Sequence, residues 1–137
     1  MNKIPRLKIL LESSLKKVLP DLRFSDSEES VNASKAPLIT FSSDAGTSFE
    51  LSSYGTTKGK TIVKVDVYLC LGRDLGMSTK ADTDALQDKI RKTIINNADL
   101  CREYSKVWCS KIMAVDIPGE NKLRVLCHDF EVSWCDV

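Results

Sequence analysis

The sequence predicts an α+β domain: a mainly antiparallel sheet with an N-terminal helix and a second helix packed on one face. Three observations carry this reading. Apolar residues near the N-terminus recur every three or four positions, a long central run alternates strictly, and the order after it is helix, strand, strand. A helix with one apolar stripe and a sheet with one apolar face find cover in each other, which is how small α+β domains close.

The elements follow in order. Ile4, Leu7, Leu11, Leu15, Val18 and Leu22 share one helical face, widened by Leu10, while Arg6, Lys8, Glu12, Lys16 and Lys17 fall elsewhere. Pro5 suits a first helical turn, where its missing N–H costs nothing, and Pro20 ends the helix. A cationic amphipathic helix can also lie on a membrane, but Glu12 and the globular pattern that follows favour packing on a core. Residues 23–35 are polar, with Asp26, Glu28 and Glu29 close together, and read as an exposed loop. Pro37-Leu38-Ile39-Thr40-Phe41-Ser42 is a short strand opened by proline, Asp44-Ala45-Gly46 a turn, and residues 48–52 a returning strand with Phe49 and Leu51 on one face. Residues 53–60, holding Gly55 and Gly59, read as a second exposed loop.

The run 62–71 is the clearest strand. Val63, Val65, Val67, Leu69 and Leu71 point one way; Lys64, Asp66, Tyr68 and Cys70 point the other. Gly72 and Gly76 flank a break, and a helix over 82–98 presents Leu86, Ile90 and Ile94 on one stripe, with Thr79 or Asp82 as its cap. A strand over 107–115, a Pro118-Gly119 turn and a last strand over 122–134 finish the pattern. That last strand changes apolar face, from Leu123, Val125 and Cys127 to Leu126, Phe130, Val132 and Trp134. Such a change predicts a bulge or a strand whose first half is covered on both sides, the second cover then coming from another subunit.

Composition narrows the class. A chain of 137 residues with 42% hydrophobic content fits one domain, 1–137, able to bury a core without metal or disulfide staples. Lys and Arg number 20 against 19 Asp and Glu, and no basic arm or stripe offers a grip on nucleic acid. No apolar run reaches the roughly 20 residues that span a bilayer. The N-terminal stretch lacks the cleavage site of a signal peptide, so synthesis and folding in a cytoplasm are expected. Five cysteines at irregular spacing do not make a secreted disulfide framework. Cys127, His128 and Cys135 with Cys101 or Cys109 are the conceivable zinc ligands, but no C-x-x-C pair is present, and buried reduced thiols are the expectation.

The residues give no catalytic signature. His128, the single histidine, stands mid-strand between Cys127 and Asp129, and strand neighbours face opposite ways, so the three form no triad. Asp82 and Asp84 begin a helix, where negative charge is stabilising without a catalytic role. Gly55-x-x-x-Gly59-Lys60-Thr61 lacks phosphate-loop spacing and precedes a strand instead of a helix. No catalytic residue, metal or cofactor is expected.

The whole layout resembles the tail terminator (tail completion) proteins of long-tailed bacteriophages. The resemblance runs through the N-terminal helix, the Pro37-Leu38-Ile39-Thr40-Phe41 strand entry and the alternating Lys60-Thr-Ile-Val-Lys-Val-Asp-Val-Tyr-Leu69 strand. It continues in the helix Asp84-Ala-Leu-Gln-Asp-Lys-Ile90 and the closing Arg124-Val-Leu-Cys-His-Asp-Phe-Glu-Val-Ser-Trp134 strand. It implies a structural virion protein without enzymatic activity, made in the host bacterial cytoplasm. Copies would form a homo-oligomeric ring, usually of six, that caps the tail tube, ends tube polymerisation and meets the head or neck connector. DNA would pass through the lumen without specific binding, and no membrane is involved. On this view Asp26, Glu28 and Glu29 face the lumen and repel phosphates, and Lys58, Lys60, Arg73, Asp74 and Arg124, charged residues beside strand edges, meet a neighbouring subunit or the tube. Other head–tail joining or neck ring proteins share the layout. A small ligand-binding or enzymatic α+β domain, with a pocket under the helices, is the reading from a different class.

Overall fold

The computed structural model describes residues 4–25, 36–42, 48–51, 57–118 and 122–136. Among them run α1 (Ile4–Val18), β1 (Arg23–Ser25), β2 (Leu38–Ser42), β3 (Ser48–Leu51) and β4 (Thr57–Cys70). They are followed by α2 (Lys80–Ile95), α3 (Ala98–Glu103), β5 (Lys106–Asp116) and β6 (Leu123–Asp136). The six strands form one sheet in the order β1-β2-β4-β6-β5, with β3 pairing the first residues of β4 beyond the reach of β2. Every pairing is antiparallel except β1 with β2. The expected α+β architecture is thus present, with the helices on one face.

The spine of the sheet is β4 against β6, paired over their full length from Thr57↔Asp136 to Cys70↔Leu123. This register puts Val63, Val65, Val67 and Leu69 on the same face as Leu126, Phe130, Val132 and Trp134, all buried. Ile39 and Phe41 of β2 extend that face. Leu7, Leu10, Leu11 and Leu15 of α1, Leu86, Ile90 and Ile94 of α2, and Leu100 of α3 close over it in one continuous cluster. The predicted helical stripe and strand alternation therefore meet as the two halves of one core.

Helix ends obey local chemistry. Thr79 caps α2: its Oγ1 accepts from the Asp82 N–H at 3.2 Å, and Asp82 Oδ2 accepts from the Thr79 and Ser78 N–H groups at 3.1 Å, a capping box. The helix stops at Ile95, short of the predicted 98, because Asn97 begins a separate turn of helix by accepting from the Leu100 N–H at 2.9 Å. Asn97 also donates to Ser14 Oγ, and Glu103 pairs with Arg6 at 3.1 Å, so α3 is fastened to α1 at both ends.

Three expectations are corrected. Residues 23–25, expected in a loop, form β1 beside β2; residues 26–35 and 53–56 lie outside the described residues. Residues 57–60, expected in the second loop, are the start of β4, where Gly59 faces Trp134 across the ladder. A Cβ at Gly59 would stand 2.2 Å from the Trp134 ring, so the missing side chain makes room for the buried indole. Finally, the second face of β6 is covered at its start from within the chain. Leu123 packs with Ala36 and Cys70, flanked by Tyr68 and Ile117, and the bulge lies in β5, between Cys109 and Lys111.

Gly59→Ala is expected to destabilise the fold by about 1–3 kcal/mol through overpacking against Trp134. Urea denaturation of the variant beside the parent checks this; an unchanged midpoint would show that the ring moves aside freely.

Candidate association edge

β5 is the outermost strand on its side, and among the described residues nothing pairs with its far edge. Its register on β6 sorts its side chains. Val107, Cys109, Ile112 and Ala114 lie on the helix face, opposite Val132, Phe130, His128 and Leu126. Lys106, Trp108, Lys111, Met113 and Val115 lie on the open face, opposite Ser133, Glu131, Asp129, Cys127 and Val125. Its helix face lies partly under α2, with Val107 and Cys109 packed against the core, while its open face is exposed from Lys106 to Val115. Trp108 and Ile112 are 42% exposed, Met113 39% and Val115 38%, four of the five large apolar side chains left exposed among the described residues.

The backbone of this rim is also available. The Ile117 N–H donates to Leu123 O at 3.0 Å, so residues in step with it, Val115, Met113 and Lys111, aim their backbone groups at β6. Side-chain face and backbone direction alternate together, so Ile112 and Ala114, and across the bulge Val107 and Cys109, aim theirs outward. Gln87 of α2 holds the strand from above by donating to Met113 O at 2.9 Å. The Lys106 ammonium sits 5.3 Å from the Trp108 ring centre, a cation–π contact that holds one face of the indole. Long uncovered strands bearing apolar side chains are templates for another chain.

The residues singled out from sequence are dispersed. Lys58 and Lys60 are exposed near the start of β4, and Lys60 pairs with Glu131 of β6, holding that carboxyl below its usual range. Arg73 and Asp74 form a brace at the end of β4. Burial pushes the Asp74 carboxyl up, but Arg73 at 2.9 Å and the Cys70 N–H at 2.8 Å outweigh it, and the net shift is downward. Arg73 also donates to Ala36 O at 2.8 Å, tying this turn to the entry of β2. Arg124 pairs with Asp116 at 2.7 Å and reaches Thr83 of α2 at 3.5 Å, joining β6, β5 and α2. Asp26, Glu28 and Glu29 lie outside the described residues. The structure does not bring the described ones among these positions together in one patch. The exposed run on β5 was legible as a strand but not as a surface.

Chemistry-bearing groups are placed as follows. Of the five thiols only Cys70 is buried, contrary to the expectation for all; Cys109 and Cys127 are half-buried, Cys101 and Cys135 exposed. Burial, with Asp66 alongside, pushes the Cys127 thiol up to about 11, so it stays protonated. Burial likewise raises the Asp66 carboxyl. Among the described residues no three His, Cys, Asp or Glu side chains stand where they could hold a metal ion, and no helix is long and apolar enough to cross a membrane. His128 is wholly buried; its Nδ1 lies 3.0 Å from Val65 O, which places the proton there and leaves Nε2 without a partner. No protein-family model matches the chain, and no curated protein is detectably similar to it.

Burial lowers His128 below its ordinary 6.5, against the opposing pull of Val65 O. The unfolded chain therefore takes up this proton first. Stability from the neutral ring is complete above pH 6.5 and is lost as pH falls towards the folded value, at up to about 1.4 kcal/mol per pH unit. Melting curves from pH about 7.5 to about 5.5 should show the decline, and His128→Gln should flatten it; an equal decline in both proteins would assign it to other groups.

Proposed function

We propose that the chain is a structural virion subunit of the tail-terminator kind. Its copies form a ring on the end of the tail tube, stop tube polymerisation and offer the head or neck connector a surface. DNA passes through the lumen, and each copy acts by shape and association. The observation that carries this reading is the β5 rim: an eleven-residue outer strand with four large apolar side chains exposed. A surface of that kind in a small domain marks a protein contact, and the sequence layout points to which contact. The rival ligand-binding reading needs space under the helices. There the side chains of α1, α2 and α3 join those of β4 and β6 in one core cluster, and the cavity of about 320 Å³ beside it lies at the margin, between the end of α1 and α2.

Mixing the chain with tail tube protein under polymerising conditions tests the reading. Electron micrographs should show short tubes ending in rings of six copies. Tubes that grow to the same lengths with and without the chain would overturn it, as would a strictly monomeric chain that binds a small molecule.

A further inference from the structure

The β5 rim carries in its own sequence a match for its exposed side chains and its outward backbone groups. We propose that, before it meets a tube, the chain pairs with a second copy of itself through β5. The strands run antiparallel about a two-fold axis, with Trp108 of each copy opposite Met113 of the other. This rests on β5 being the association surface and adds the identity of its first occupant.

A two-fold axis perpendicular to the sheet joins like faces, so the helix layers of both copies lie on one side. Residues set opposite each other must share a face, and outward backbone groups must meet outward groups. The bulge decides which registers qualify. Before it, the even-numbered Lys106 and Trp108 lie on the open face; after it, the odd-numbered Lys111, Met113 and Val115 do. For the whole strand to pair, and not only the six residues beyond the bulge, an even residue before the bulge must therefore face an odd residue beyond it. The register centred on the Ser110–Lys111 link does this along nearly the whole strand. Trp108 faces Met113, Val107 faces Ala114, Cys109 faces Ile112 and Lys106 faces Val115, each pair occurring twice.

In this arrangement all four exposed apolar side chains gain a cross-strand neighbour from the other copy. The pairs that exchange backbone hydrogen bonds are Val107 with Ala114 and Cys109 with Ile112, the residues whose groups point outward. Sliding by two positions in one direction sets Val107 against Asp116 and Lys111 against Ile112; sliding in the other sets Trp108 against Lys111 and leaves Ala114 unpaired. The two Lys111 side chains come near each other at the axis, each beside Asp129 of its own β6 on the open face. The product is one continuous sheet with the rim hidden, available again when a tube end or ring neighbour competes for it.

Light scattering on the free, full-length chain, across roughly 1–100 µM, reads the mass. The expected value is twice the 15.3 kDa of the chain. Met113→Lys should weaken the dimer at least about tenfold, with the circular dichroism spectrum unchanged. Ile112→Cys fixes the register: mild oxidation should give a covalent dimer linked, by peptide mapping, to Cys109 of the other copy, and Cys109→Ser in that background should abolish it. A free chain with the mass of one copy or of six overturns the proposal, as does a dimer indifferent to Met113→Lys or linked only through Cys101 or Cys135. A single-copy mass together with ring-capped tubes sinks the dimer and leaves the ring; a dimer together with uncapped tubes does the reverse.

Discussion

The pairing of β4 with β6 is the constraint on which the rest of the structure depends. Fourteen consecutive partners leave no freedom about which side chain goes to which face. Once Val63 stands opposite Phe130 and Val67 opposite Leu126, the apolar faces coincide and the helices have one place to sit. A slip of one residue would put Lys64 and Asp66 on the helix face and send four apolar β4 side chains to the other face. The Gly59–Trp134 pairing helps pin the register, because the indole fits only where a side chain is missing.

Peripheral parts are fastened to this spine by a few polar contacts. The Arg73–Asp74 brace closes the turn after β4 and holds the start of β2 through Ala36 O. Arg124 spans β6, β5 and α2, and Asn97 joins α3 to Ser14 of α1. A partly buried arginine that satisfies a carboxylate and a hydroxyl at once is spent on internal geometry, which is why charge beside a strand edge is a poor guide to a contact surface. Exposed apolar side chains are a better one, since leaving them in water costs free energy that a partner recovers.

What could be read from the sequence follows from how one-sided the burial is. The α1 stripe and the alternation over 62–71 were legible because each element has one dry and one wet face, and periodicity records that difference. The start of β4 was not, since Thr57, Gly59 and Thr61 carry no large apolar group to mark an inner face. β1 is three residues of parallel pairing, too short for any period, and α3 is one short helix whose signal, the Asn97 cap, falls inside the helix expected over 82–98. Leu123 breaks the pattern visibly, but its cover by Ala36, Cys70, Tyr68 and Ile117 depends on strand order, which alternation does not encode. The association edge was hidden for a related reason. Trp108, Ile112, Met113 and Val115 look like core residues, and only the sheet order, with β5 outermost, shows why the described chain leaves them exposed.

The two ends of the sheet are unequal, and that inequality has its own consequence. On one side the rim is eleven residues long; at the other end of the strand order stands β1, with three. Edge-to-edge stacking of one copy's β5 on the next copy's β1 would have three backbone positions to hold it. Open-ended growth into amyloid-like filaments by stacking β5 on β1 therefore has a weak side among the described residues, whatever other surface a ring neighbour offers to β5.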